Sequence, residues 1–131
     1  MQTVEQVNVL GIGVHAIDMQ STVSLVGARI RDGAKGYVCL TGVHGIMEAQ
    51  RDPSLKSIFA EASLVAPDGM PTVWMGHLQG FCTMKRVFGP DLMVEIIGGA
   101  GFRNCIHFFC GGEPGVAENL QGEMLRRFPW T

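Results

Sequence analysis

Residues Leu64 to Trp74 read L-V-A-P-D-G-M-P-T-V-W. Leu64, Val65 and Ala66 form the kind of apolar run that builds a short buried strand. Pro67 keeps Ala66 out of the helical region and removes a backbone donor, so the strand is expected to end there. Asp68-Gly69 is a turn pair. Beyond it, Met70, Val73, Trp74, His77 and Leu78 recur at i, i+3, i+4, i+7 and i+8, the spacing of one helical face. Pro71 suits the first turn of that helix, where its missing N–H is not needed. Asp68 therefore stands where a strand hands over to a helix, the edge at which open α/β sheets bind ligands. An aspartate here serves either as an N-cap for the free N–H groups of the first turn or as a reacting carboxylate. The stretch alone leaves both open.

The flanking sequence repeats the alternation. Val7 to Val14 (V-N-V-L-G-I-G-V) reads as an opening strand interrupted by Gly11 and Gly13. Its G-I-G lacks the third glycine and the immediate helix of a dinucleotide fingerprint. Asp18 is placed to cap a helix whose apolar face is Val23, Val26, Gly27 and Ile30, ending at Asp32-Gly33. Gly36 to Thr41 (G-Y-V-C-L-T) is continuously apolar, as a parallel strand covered on both faces would be. Val43 to Gln50 reads as a helix broken before Pro53, and a second segment carries Leu55, Ile58, Phe59 and Ala62 on one face.

After the central unit, Lys85 to Phe88 is a short strand or loop, and Gly89-Pro90-Asp91 a turn capping a helix with Leu92, Met93, Ile96 and Ile97. Cys105 to Cys110 (C-I-H-F-F-C) reads as another buried strand running into Gly111-Gly112. Pro114 opens a last helix with Ala117, Leu120, Met124 and Phe128 on its face. Strands alternating with helices predict a single α/β domain over residues 1–131, a Rossmann-like parallel sheet flanked by helices and joined by right-handed crossovers. Val38 to Leu40, Leu64 to Ala66 and Ile106 to Phe109 are its expected interior strands. The final helix, ending at Phe128-Pro129, should feed a further strand, and the chain is expected to be truncated there.

Composition narrows the class. A chain of 131 residues with 47% apolar residues is long enough for a real core. A net charge of −2 with scattered Lys and Arg excludes an electrostatic footprint for nucleic acid. No run approaches the roughly 18 apolar residues of a membrane span, and Met1 to Glu5 lacks the features of a signal peptide. Four cysteines without a C-x-x-C pair predict buried free thiols and a reducing cytoplasm.

Three polar clusters fall at predicted strand exits: Thr41-Gly42-Val43-His44, Pro67-Asp68-Gly69 and Gly111-Gly112-Glu113. In a parallel sheet these would converge on one crevice. Arg86 could add a cation there, or be a plain surface charge. His44 reads as a cap, a partly buried ring or a pocket residue. Asp91 reads chiefly as an N-cap. Gly111-Gly112 is either a simple turn or a close backbone approach to a phosphate. His107 and Cys110 lie three apart and so on opposite faces of a strand, which argues against a metal site.

The blocks P-D-G-M-P-T-V-W, V-H-G-I-M-E-A-Q-R-D-P (Val43 to Pro53), K-R-V-F-G-P-D-L-M (Lys85 to Met93) and H-F-F-C-G-G-E-P-G-V-A-E (His107 to Glu118) resemble the WecG/TagA/CpsF family of bacterial glycosyltransferases, in that family's order and spacing. The resemblance implies transfer of a sugar, commonly an N-acetylhexosamine, from a UDP-sugar to a polyprenyl-diphosphate-linked acceptor in cell-surface polysaccharide synthesis. It implies Asp68 as catalytic base and Arg86 facing donor or acceptor phosphates, with Thr41, His44, Gly69, Asp91, Gly111 and Gly112 about the substrate. Many members carry Asn where this chain has Thr41-Gly42, so Thr41 is the nearest substitute for that polar contact.

Members are also considerably longer, so the chain reads as the N-terminal portion of such an enzyme. Work at the inner face of the membrane, with contact only through the absent C-terminal part, is the matching expectation. No Asp-x-Asp metal motif occurs, so no cofactor or metal is expected, and Arg86 with helix N-termini would offset the leaving diphosphate. The competing class is a non-catalytic nucleotide-sugar or protein-binding module left by truncation. In either case a bare apolar face predicts self-association.

Overall fold

A computed structural model describes residues 4–131. The chain forms two compact units, Met1–Leu92 and Met93–Thr131. Among the described residues no helix is long and apolar enough to cross a membrane.

The first unit opens with a hairpin, β1 (Gln6–Val9) and β2 (Ile12–His15), paired antiparallel with Val9 opposite Ile12. The single interrupted strand expected here is thus two strands. Leu10 and Gly11 make the turn with φ of 52° and 87°, and Asn8 Oδ1 accepts the Gly11 N–H at 2.8 Å. Positive φ at both central residues matches the strand twist. Leucine rarely occupies such a position, which is why the turn was not legible.

α1 (Met19–Arg31) begins as expected, with Asp18 Oδ1 accepting the Ser21 N–H at 2.8 Å. Then come β3 (Val38–Thr41), α2 (Val43–Arg51), α3 (Pro53–Glu61), β4 (Leu64–Pro67), α4 (Met70–Leu78) and α5 (Gly89–Gly98), which crosses the division. Asp52 ends α2 and caps α3, its carboxylate accepting from the Ser54 and Leu55 amides.

β3 and β4 pair in parallel, Val38 opposite Leu64 and Thr41 opposite Pro67. This two-stranded sheet with helices gives a mixed α/β unit. β4 is buried along its whole length, as its apolar run predicts. β3 is not covered on both faces: Val38 is exposed and burial is complete only at Thr41. The core gathers Val7, Val9, Ile12 and Val14 of the hairpin with Ile46, Ala49, Phe59, Val65 and Met84.

α4 corrects the sequence reading. Its buried face is Thr72, Val73 and Gly76, while Met70, Trp74 and Leu78 of the expected stripe are exposed, at 43%, 57% and 82%. Small residues let the helix approach closely, and Met84 packs so tightly on Gly76 that an added Cβ would collide with its sulfur. Periodic hydrophobicity does not register that kind of contact.

The second unit holds a 3-10 turn (Ala100–Phe102) and α6 (Val116–Arg127). Met124 is buried and Ala117, Leu120 and Phe128 are half-buried, the face expected for the last helix. The interior strand expected over Ile106 to Phe109 is absent. These residues join no ladder, and Ile106 and Phe108 are 99% and 88% exposed. β-propensity describes a fit to a pleated, half-buried surface, and no neighbouring strand supplies one here. The four thiols are free as expected, yet Cys82 and Cys110 are exposed and Cys39 and Cys105 only half-buried.

Candidate active site

Two of the three predicted strand exits meet. The Asp68 amide donates to the Thr41 carbonyl at 2.9 Å, continuing the β3–β4 pairing one step beyond the ladder. A Cβ on Gly42 would stand 3.1 Å from the Asp68 carbonyl oxygen, and one on Gly69 would stand 3.6 Å from Gly42 Cα. Both glycines are therefore places where two backbones nearly touch.

Asp68 does not cap α4. The cap is Gly69, with no side-chain acceptor for the first-turn amides. The Asp68 carboxylate instead turns toward Arg86, whose Nε lies 3.5 Å from Oδ1. That separation is an ion pair without hydrogen-bond geometry, and Oδ1 is a buried acceptor with no donor on it.

Arg86 rides on a loop held at both sides. Val87 N–H donates to the Pro67 carbonyl at 2.7 Å, and the Met84 and Val87 side chains are fully buried. The guanidinium carbon lies 4.4 Å from the Phe88 ring centroid, so the ring face and the carboxylate together orient the cation. The next residue, Gly89, opens α5. A Cβ there would lie 3.4 Å from Leu40 Cδ1 and 3.7 Å from Asp68 Oδ2.

Three helix N-termini thus lie close to Asp68. α2 starts after Gly42 and α4 after Gly69, neither with a side-chain cap, and α5 starts at Gly89. Unsatisfied N–H groups at helix starts carry partial positive charge and suit an anion. Thr41 is buried, its hydroxyl lying over Gly45 in the first turn of α2.

His44 lies in that same turn, exposed and serving as neither cap nor buried ring. Asp91 is exposed inside the first turn of α5, where an acid favours the helix dipole; it is not the N-cap. Gly111 and Gly112 belong to the second unit, with φ of 114° and 75°, in a turn leading to α6. A Cβ on Gly112 would press on Val116 at 3.2 Å, so that turn requires glycine. Sequence reasoning missed Phe88 and the close approaches at Gly42 and Gly89; the motif Arg86-Val87-Phe88-Gly89 held a signal, an aromatic two residues after a cation. Among the described residues no three His, Cys, Asp or Glu side chains gather as metal ligands would.

The sequence profile of the glycosyl transferase WecG/TagA/CpsF family matches residues 7–131. The chain belongs to this family. It is also similar to the N-acetylglucosaminyldiphosphoundecaprenol N-acetyl-beta-D-mannosaminyltransferase of Bacillus spizizenii, at 26% identity over 113 residues. That match covers 86% of this chain and 44% of the relative, so the chain spans less than half the relative's length. The Asp68–Arg86 pair and the starts of α4 and α5 lie in the P-D-G-M and R-V-F-G-P-D-L-M blocks, and α2 opens the V-H-G-I-M-E-A-Q-R-D-P block.

Proposed function

We propose that this chain carries the reacting carboxylate and a diphosphate-binding corner of a glycosyltransferase with a Rossmann-like plan. It would move an N-acetylhexosamine from a UDP-sugar to the hydroxyl of a polyprenyl-diphosphate-linked sugar, on the cytoplasmic side of the membrane. Support comes from family membership, and from the similar Bacillus spizizenii protein, whose name specifies an N-acetylmannosaminyl transfer to a diphosphoundecaprenol-linked sugar.

The observation that carries the reading is Asp68 Oδ1, a buried acceptor without a donor, beside a cation and three helix starts. An acceptor hydroxyl supplies the missing donor. As its oxygen bonds to the anomeric carbon, the bond from that carbon to the UDP phosphate oxygen breaks, and the hydroxyl proton passes to Asp68. Negative charge grows on the departing diphosphate, where Arg86 and the first turn of α5 can receive it. A diphosphate oxygen on Arg86 also competes for the guanidinium and frees the carboxylate to act.

The test is turnover of UDP-N-acetylhexosamine with a prenyl-diphosphate-sugar acceptor. Asp68→Asn should lower the rate by roughly 10²–10⁴ while UDP still binds. Near-normal transfer by the Asn variant would end the general-base assignment. UDP binding with no transfer by the unaltered chain would favour a binding module.

A further inference from the structure

An apolar groove of about 240 Å³ runs between α2 and α4. Its floor is Ile46 and Thr72, both almost fully buried. Val43 and Pro71, in the opening turns of the two helices, flank it at the Asp68 end. Met47 and Met75, 45% and 39% exposed, flank it one turn farther on. Leu10 of the hairpin turn borders it beside the second half of α2, where Gln50 donates to the Leu10 carbonyl at 2.9 Å.

The groove is continuous with the candidate active site, because Val43 follows Gly42 and Pro71 follows the Gly69 cap, the two glycines that touch beside Asp68. Polarity therefore reverses within the first turn of both helices. On one side stand Asp68, Arg86 and uncapped helix starts. On the other lies a trough lined by apolar side chains, with Thr72 the one hydroxyl residue among them and its oxygen buried.

We propose that this groove takes the first part of the prenyl chain of a prenyl-diphosphate acceptor, with its diphosphate at the uncapped starts of α2 and α4 and its sugar toward Asp68; this rests on the glycosyltransferase reading. An amphiphile with a charged diphosphate joined directly to a hydrocarbon matches the reversal in polarity. An extended peptide segment is disfavoured, since its backbone N–H and C=O groups would find no partners on such a lining. Two flanking methionines suit a flexible branched hydrocarbon, because unbranched thioether side chains repack around irregular shapes.

Calorimetric titration of the 131-residue chain with inorganic diphosphate, farnesyl diphosphate below its micelle concentration, and UDP tests the assignment. Farnesyl diphosphate should bind at least about tenfold tighter than inorganic diphosphate, since burying a few methylenes is worth that much. Met47→Asp and Met75→Asp, at exposed positions, should remove the farnesyl advantage and leave UDP affinity within about twofold. If either aspartate lowers the melting temperature, Met47→Ser and Met75→Ser provide the same comparison.

Equal binding of the two diphosphates overturns the groove assignment, as does a farnesyl advantage untouched by both substitutions. The UDP arm reports the sugar-nucleotide reading separately. Light scattering completes the test: dimerisation abolished by Met47→Asp would give the groove to a second copy of the chain and overturn the lipid.

Discussion

His15 Nδ1 accepts the amide N–H of Val65 at 2.9 Å, so a side chain of the hairpin holds the middle of β4. The ring is 9% exposed. Since Nδ1 is an acceptor, the neutral ring carries its proton on Nε2. The Gln6 amide nitrogen lies 3.2 Å from Nε2; two donors cannot share that contact, so the amide turns over to present its oxygen.

Burial lowers the His15 pKa. A group depressed on folding binds its proton more readily in the unfolded chain. The stability it contributes is present above the unfolded value of about 6.5 and is lost as pH falls below it toward the folded value. Urea unfolding at pH 8, 6.5 and 5 should show falling stability over that interval. His15→Gln should flatten this part of the profile, and an unchanged slope in the variant would place the titration elsewhere.

The ring under Arg86 gives a second prediction. Phe88 is 37% exposed, so Phe88→Leu should leave folding nearly unchanged. Losing the ring face should weaken UDP binding by roughly 0.5–1 kcal/mol, a two- to fivefold rise in Kd. Arg86→Ala should cost more. Equal affinities for Phe88→Leu and the parent chain would show that the carboxylate alone orients the cation.

A third concerns Leu10, held at φ 52° and 59% exposed. A left-handed conformation costs an ordinary L-residue about 1–2 kcal/mol, and asparagine tolerates it better. Leu10→Asn should therefore raise stability by several tenths to about 1 kcal/mol in urea unfolding. A destabilised variant would mean that the leucine packs usefully at this turn.

Ile106 and Phe108 supply the fourth. Both are nearly fully exposed in a segment without ladder partners. Such apolar, β-prone surface promotes association between chains. Ile106→Lys with Phe108→Lys should reduce the concentration dependence of light scattering while leaving the melting temperature unchanged. Scattering identical to the parent would clear this segment.

The parts legible in sequence are those fixed by local chemistry. Asp18 caps its helix because a short carboxylate before a helix finds free amides, and Pro67 with Asp68-Gly69 ends β4 for the reasons intrinsic to those residues. The parts that failed depended on partners. The buried side of α4 is chosen by Met84 meeting Gly76, and the strand over Ile106 to Phe109 lacked a neighbour. Asp68 could be placed at a strand exit, yet its turn away from the helix cap toward Arg86 depends on a loop eighteen residues on. The exposure of His44 likewise depends on what packs against α2, which no local pattern encodes.

Pro67 has one more consequence. Its backbone groups face the edge away from β3, so its missing N–H costs no bond to that strand; the Asp68 N–H bonds the Thr41 carbonyl, while the Pro67 carbonyl receives Val87. The carboxylate and the arginine are thus located by main-chain bonds that do not involve their own side chains. Their positions would outlast replacement of either functional group, so an exchange at 68 or 86 would alter the chemistry on offer without moving the places where it is offered.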